Sequence, residues 1–118
     1  MPGLKETLAR IALRDDNFIS SLQGSDIKDI DLDGSTCSLV RLAALIGLDG
    51  SSASFVASVQ EARNAGVSAA DIVATLTAVL PSVGAVRASS AAPKIALALG
   101  FEPDPALEEN DHWSNVRR

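Results

Sequence analysis

A core for this chain has to be assembled almost entirely from small aliphatic side chains. Hydrophobic residues make up 47% of the sequence, yet aromatics account for only 3% and tyrosine is absent. Leu, Ile, Val and Ala must fill the interior, and side chains of that size fill it only where backbones approach closely. Alanine-rich helices packed face to face meet that demand, and alanine is also the best intrinsic helix former. The same surplus of small apolar residues suits burial between subunits. At 118 residues the chain is long enough for one domain with a modest core.

The apolar residues recur with helical spacing throughout. Leu4, Leu8, Ile11 and Ala12 fall on one face of a helix over residues 4–14, and Phe18, Ile19 and Leu22 extend it or form a short second turn. Gly24 interrupts, and the polar connector over 25–34 is pinned to the body by Ile27, Ile30 and Leu32. Asp33 is placed to cap a central helix running from Gly34 to about Leu48, ended by Gly47 and the Asp49–Gly50 pair. Ser51 or Ser52 caps a further helix to Ala65, with Gly66 as its left-handed terminator. Ser68 and Asp71 nearly match a capping box, and Val67 with Ile72 forms a hydrophobic staple. Pro81 is expected to end or kink that helix, and Ser82–Leu99 forms the last one, with a kink or break at Pro93. No stretch alternates as a strand does. The expectation is an all-α bundle of antiparallel helices with Ala-rich packing. It divides into an N-terminal helix and connector (1–31), a helical core (32–100) and a C-terminal arm (101–118) that carries Trp113.

Charge and cysteine content narrow the function. A net charge of −5 with no basic stripe disfavours a nucleic-acid partner. No apolar run approaches a membrane span, and the amphipathic N-terminus does not read as a signal peptide. Cys37 has no second cysteine to pair with. That fits a reducing compartment, with the cytoplasm as the default expectation.

Three segments carry a resemblance. They are LDGSTCSLVRLAALIG from Leu32, the helix ending at Ala65–Gly66 followed by VSAADIVATLTAVLPSVGAVRA, and the Gly84–Arg87 spacing before an Ala-rich helix. In order and spacing, residues 32–100 resemble the carboxymuconolactone decarboxylase family, which includes the AhpD-like alkylhydroperoxidases. The resemblance implies an AhpD-like helical bundle assembled as a homotrimer or homohexamer, with sites near subunit contacts. It implies a Cys-x-x-Cys pair and a histidine at the positions of Ser51, Ser54 and Ser58, and a glutamate near Ser38. All four are serine here. A hydroxyl cannot cycle between thiol and disulfide, so AhpD-type peroxidase chemistry is not expected. The decarboxylase branch uses a histidine at the position of Ser58, so that lyase assignment loses its acid–base group too.

The remaining candidates each carry two readings. Ser51, Ser54 and Ser58 share one side of their helix. They line a ligand pocket with hydroxyls, or they are a cap and two packing residues. Arg87, set among small residues, clamps a carboxylate or enolate, or closes an ion pair. Arg41 shares a face with Ser38 and is either an anion contact or part of a surface pair. Glu61 is a general base if it faces an apolar pocket, and otherwise a solvated carboxylate. His112 beside Asp111 matters only if the tail covers a neighbouring pocket. No metal motif and no cofactor site is expected. The function expected is binding of, or action on, a small organic acid or lactone without thiol chemistry. The alternative is an inactive relative serving as a binding, assembly or helper protein.

Overall fold

A computed structural model describes residues 3–23 and 30–101. Among them the chain is all helical, with no strand. The helices are α1 (Leu4–Ala12), α2 (Asp16–Gln23), α3 (Gly34–Gly47), α4 (Ser52–Asn64), α5 (Ala69–Val83) and α6 (Ala85–Ala98). None is long and apolar enough to cross a membrane. Ile27, His112 and Trp113 lie outside the described residues.

The helix starts follow the capping chemistry of the sequence. The Asp33 carboxylate accepts from the Thr36 amide at 2.7 Å, Ser51 Oγ from Ser54 at 3.1 Å, and Ser68 Oγ from Asp71 at 3.1 Å. Each satisfies one amide that the first turn leaves without a helical partner. The ends are equally defined. Gly66 adopts φ +90°, and the Gly66 and Val67 amides reach back to Arg63 and Ala62, the paired bonds of a Schellman turn. Past α3 the left-handed position falls to Asp49, at φ +56°.

α3 packs against α4, α5 and α6, and α6 packs against α4 and α5. Leu42, Ile46, Phe55, Val59 and Ile72 are fully or almost fully buried between them, with Ala62, Ala91 and Ile95 filling the closest approaches. The prolines do not break helices where the sequence suggests. α5 runs through Pro81 to Val83 and stops at Gly84, whose φ of +90° turns the chain into α6. Pro81 costs α5 the amide bond to the Thr77 carbonyl, and both residues are exposed, so water can satisfy that oxygen. Pro93 stays inside α6 for the same reason, opposite the exposed Ser89.

α1 and α2 form a hairpin of their own. Asp15 caps α2 through the Phe18 amide, Glu6 pairs with Arg10 at 3.0 Å, and the Arg10 guanidinium lies 5.1 Å from the Phe18 ring centroid. Neither helix has a buried residue, and among the described residues they pack only on each other.

Gly50 shows how tightly the α3–α4 corner is drawn. A Cβ there would stand 2.3 Å from Leu45 Cδ1 and 2.7 Å from its Cγ. Gly50→Ala is expected to lower unfolding free energy by about 1–3 kcal/mol, the usual cost of overpacking. Chemical denaturation of G50A and of G50A/L45A checks this, since removing Leu45 should erase most of the extra penalty.

Candidate functional site

The helix pair α3–α4 brings four separated residues to one groove. Its volume is about 430 Å³, and its walls include Ala44, Leu45, Leu48 and Ala57. Arg41 comes from α3, and Ser54, Ser58 and Glu61 come from one side of α4. The rise of one turn per 3.6 residues sets Ser54, Ser58 and Glu61 in a row. Arg41 faces that row because α3 and α4 are neighbours. Its guanidinium donates to Glu61 Oε2 at 3.4 Å, with both side chains a little over a third exposed.

The three serine hydroxyls differ, and Ser51, the cap of α4, is not among the groove's walls. Ser51 Oγ donates to Ser54 Oγ at 3.1 Å, so these two are joined at the start of α4. Ser58 Oγ is buried and has no hydrogen-bond partner among the described residues. A buried hydroxyl left in that state costs about 1–3 kcal/mol. Ser38 does not share the groove. It is fully buried on α3 and donates to the Ser35 carbonyl at 2.8 Å. Cys37 beside it is buried and free.

Arg87 lies elsewhere, at the start of α6. Its guanidinium donates to the Gly47 carbonyl at 3.0 Å. Two further α6 residues reach the same turn. Ser90 Oγ donates to Asp49 Oδ1 at 2.7 Å. Lys94 Nζ donates to the Gly50 carbonyl at 2.9 Å and stands 3.5 Å from the Asp49 carboxylate. The last turn of α3 carries no basic residue of its own. Arg87 and Lys94 therefore supply the positive charge that its free carbonyls favour. Sequence reasoning placed Arg87 in a site and passed over Asp49, Ser90 and Lys94. The available signal was the spacing of Arg87, Ser90 and Lys94, which puts all three on one face of a helix.

The Ser90 hydroxyl, and after it the charge of Lys94, hold the Asp49 carboxyl below its ordinary value of 3.8. Hydrogen bonds from Thr36, then Ser35, do the same for Asp33. Neither carboxylate joins the α3–α4 groove. Among the described residues no group of three or more His, Cys, Asp or Glu side chains could hold a metal ion.

Searches of family models, curated proteins and solved structures found no significant match to the chain.

A depressed carboxyl pKa stabilises the folded state fully above the unfolded value and loses that contribution as pH falls through the folded one. Asp49→Asn is therefore expected to melt below wild type at neutral pH. The gap should close as pH drops beneath about 3.8. Thermal melts of both proteins across pH 2.5–7 (roughly the carboxylate range and above) read this directly.

Proposed function

We propose that the α3–α4 groove binds a small organic acid or lactone and that any turnover there proceeds without thiol chemistry. The observation that carries this reading is the Ser58 hydroxyl, buried at an apolar groove and left without a protein partner. Apolar walls with few convergent polar groups are the usual make-up of a small-molecule site. Arg41 is the anion-binding group in this reading. Its contact with Glu61 is long and partly exposed, so a ligand carboxylate can replace Glu61 at the guanidinium with bidentate geometry. Glu61, displaced from Arg41, is then a carboxylate at the groove, able to take a proton from a bound acid or lactone. Ser58 donates to, or accepts from, the ligand's oxygen.

The reading places the chain as a divergent relative of the carboxymuconolactone decarboxylase family, with lactone decarboxylation or isomerisation as the chemistry that the resemblance suggests. A second reading, an inactive relative with a binding or assembly role, draws on one specific observation. Arg87 and Arg41 both already have protein partners, so neither is a free anion clamp in the unliganded chain.

Two variants separate ligand binding from structural roles. Ser58→Ala is expected to raise unfolding free energy by about 1 kcal/mol, since it deletes an unpaired buried hydroxyl, while weakening binding. Arg41→Gln should weaken binding of carboxylates about tenfold or more, equivalent to about 1.4 kcal/mol. The measurement is an amide chemical-shift titration of the full chain with aliphatic and aromatic monocarboxylates and γ-lactones. Shifts confined to Arg41, Ser54, Ser58 and Glu61 support the groove. Absence of shifts across the panel, or shifts centred on Arg87, would overturn it.

A further inference from the structure

The α3–α4 groove carries charge of both signs in equal measure. Arg41 and Glu61 are the charged side chains of its walls, and among the described residues each is the other's partner. Their bond joins one guanidinium nitrogen to one carboxylate oxygen at 3.4 Å, well beyond the roughly 2.7–2.9 Å of a strong charge-assisted bond. The remaining guanidinium donors and Glu61 Oε1 are left for a ligand, and both side chains are more than a third exposed.

Charge balance separates the ligands that such a pair can take. A monocarboxylate that joins Arg41 brings a second negative group beside Glu61, and the site is left with an uncompensated negative charge. The chain's net charge of −5 adds to that repulsion. A lactone avoids the repulsion but has no donor for Glu61, so opening the pair leaves the Glu61 carboxylate without a partner. A zwitterion with adjacent charges answers both groups at once, and both new bonds are charge-assisted.

We infer that the groove takes a free α-amino acid with an aliphatic side chain, its carboxylate on Arg41 and its ammonium on Glu61. The inference rests on the reading of the groove as a small-acid site and narrows it. An α-amino acid carries its two charges side by side on one carbon, as the opened Arg41–Glu61 pair requires. Ala44, Leu45, Leu48 and Ala57 supply apolar surface for the ligand's side chain. Ser58 Oγ, buried and without a partner among the described residues, stands in the same row of α4 as Glu61 and donates to the ligand carboxylate. The volume of about 430 Å³ lies at the small end of the range for ligand sites, roughly 300–1,000 Å³, which matches a ligand of this size.

The experiment titrates the full chain at neutral pH with L-leucine and with analogues of its carbon skeleton, reading affinity from amide chemical shifts. Isocaproate lacks the amine, isoamylamine lacks the carboxylate, and isocaproamide lacks both charges. Leucine is expected to bind about tenfold more tightly than each analogue, the worth of one charge-assisted hydrogen bond, with shifts at Arg41, Ser58 and Glu61. Glu61→Gln, with circular dichroism confirming equal helix content, should weaken leucine by a similar factor and strengthen isocaproate. It removes the ammonium's partner and the repulsion together, whereas a groove that had merely lost its shape would weaken both ligands. Isocaproate binding at those residues as tightly as leucine would overturn the inference and leave the broader reading of the groove intact, as would E61Q weakening both ligands alike. Isoamylamine or isocaproamide matching leucine would also overturn it, because Arg41 or the ligand's charges would then be idle. No shift from any member of the panel would overturn the inference and the broader reading together.

Discussion

One phenylalanine is the largest side chain in a core otherwise made of aliphatic residues. Phe55 is fully buried, and the largest residues buried with it are Leu42, Ile46 and Ile72. Such a core reaches native density only if α3, α4 and α6 close around that ring, which is why alanines stand at positions 62, 88 and 91. Phe55 lies in the first turn of α4, one residue past Ser54. Fixing the ring therefore fixes the face of α4 that carries Ser54, Ser58 and Glu61. Lys94 Nζ, 5.9 Å from the ring centroid, ties the same point to α6.

The turn after α3 shows how polar chemistry completes what the small core begins. Asp49 occupies a left-handed position where glycine would be less strained. Its carboxylate joins Ser90 and Lys94, while Arg87 and Lys94 bond carbonyls of the same corner. A glycine would relax the backbone and give up the contacts of the carboxylate with Ser90 and Lys94. These contacts are exposed or partly so, and individually modest. Their value lies in register, since three residues on one face of α6 meet one turn of α3. Arg87 thereby does the work of a capping cation.

Local chemistry was the legible part of the sequence. Asp33, Ser51 and Ser68 cap the helices they precede, and Gly66 ends α4, because each acts on amides or carbonyls a few residues away. Pro81 and Pro93 do not break their helices, because the cost of a proline depends on exposure. Pro81 and Pro93 each face solvent with the carbonyl they orphan, so the helix continues, and Gly84, with its positive φ, sets the break. Ser54, Ser58 and Glu61 could be grouped from spacing on one helix. Their meeting with Arg41, twenty residues from Glu61, could not, since it depends on how α3 and α4 pack. Ser38 was grouped with Arg41 by spacing, and instead lies buried away from the groove, bonded to the carbonyl of Ser35. The latch on α3 spans about forty residues and was illegible for the same reason.

The isolation of the α1–α2 hairpin divides the chain into two cooperative units. Helices α3 to α6 share one core, and α3 and α6 each pack against the three other helices of the body. The hairpin, two short helices with no buried residue, lacks the length for lasting helicity in water. Its opening free energy is therefore small beside that of the body, and the two units exchange amide hydrogen on separate clocks. Whatever comes to cover the hairpin's apolar stripe sets its order, while the body's order is set by its own interior.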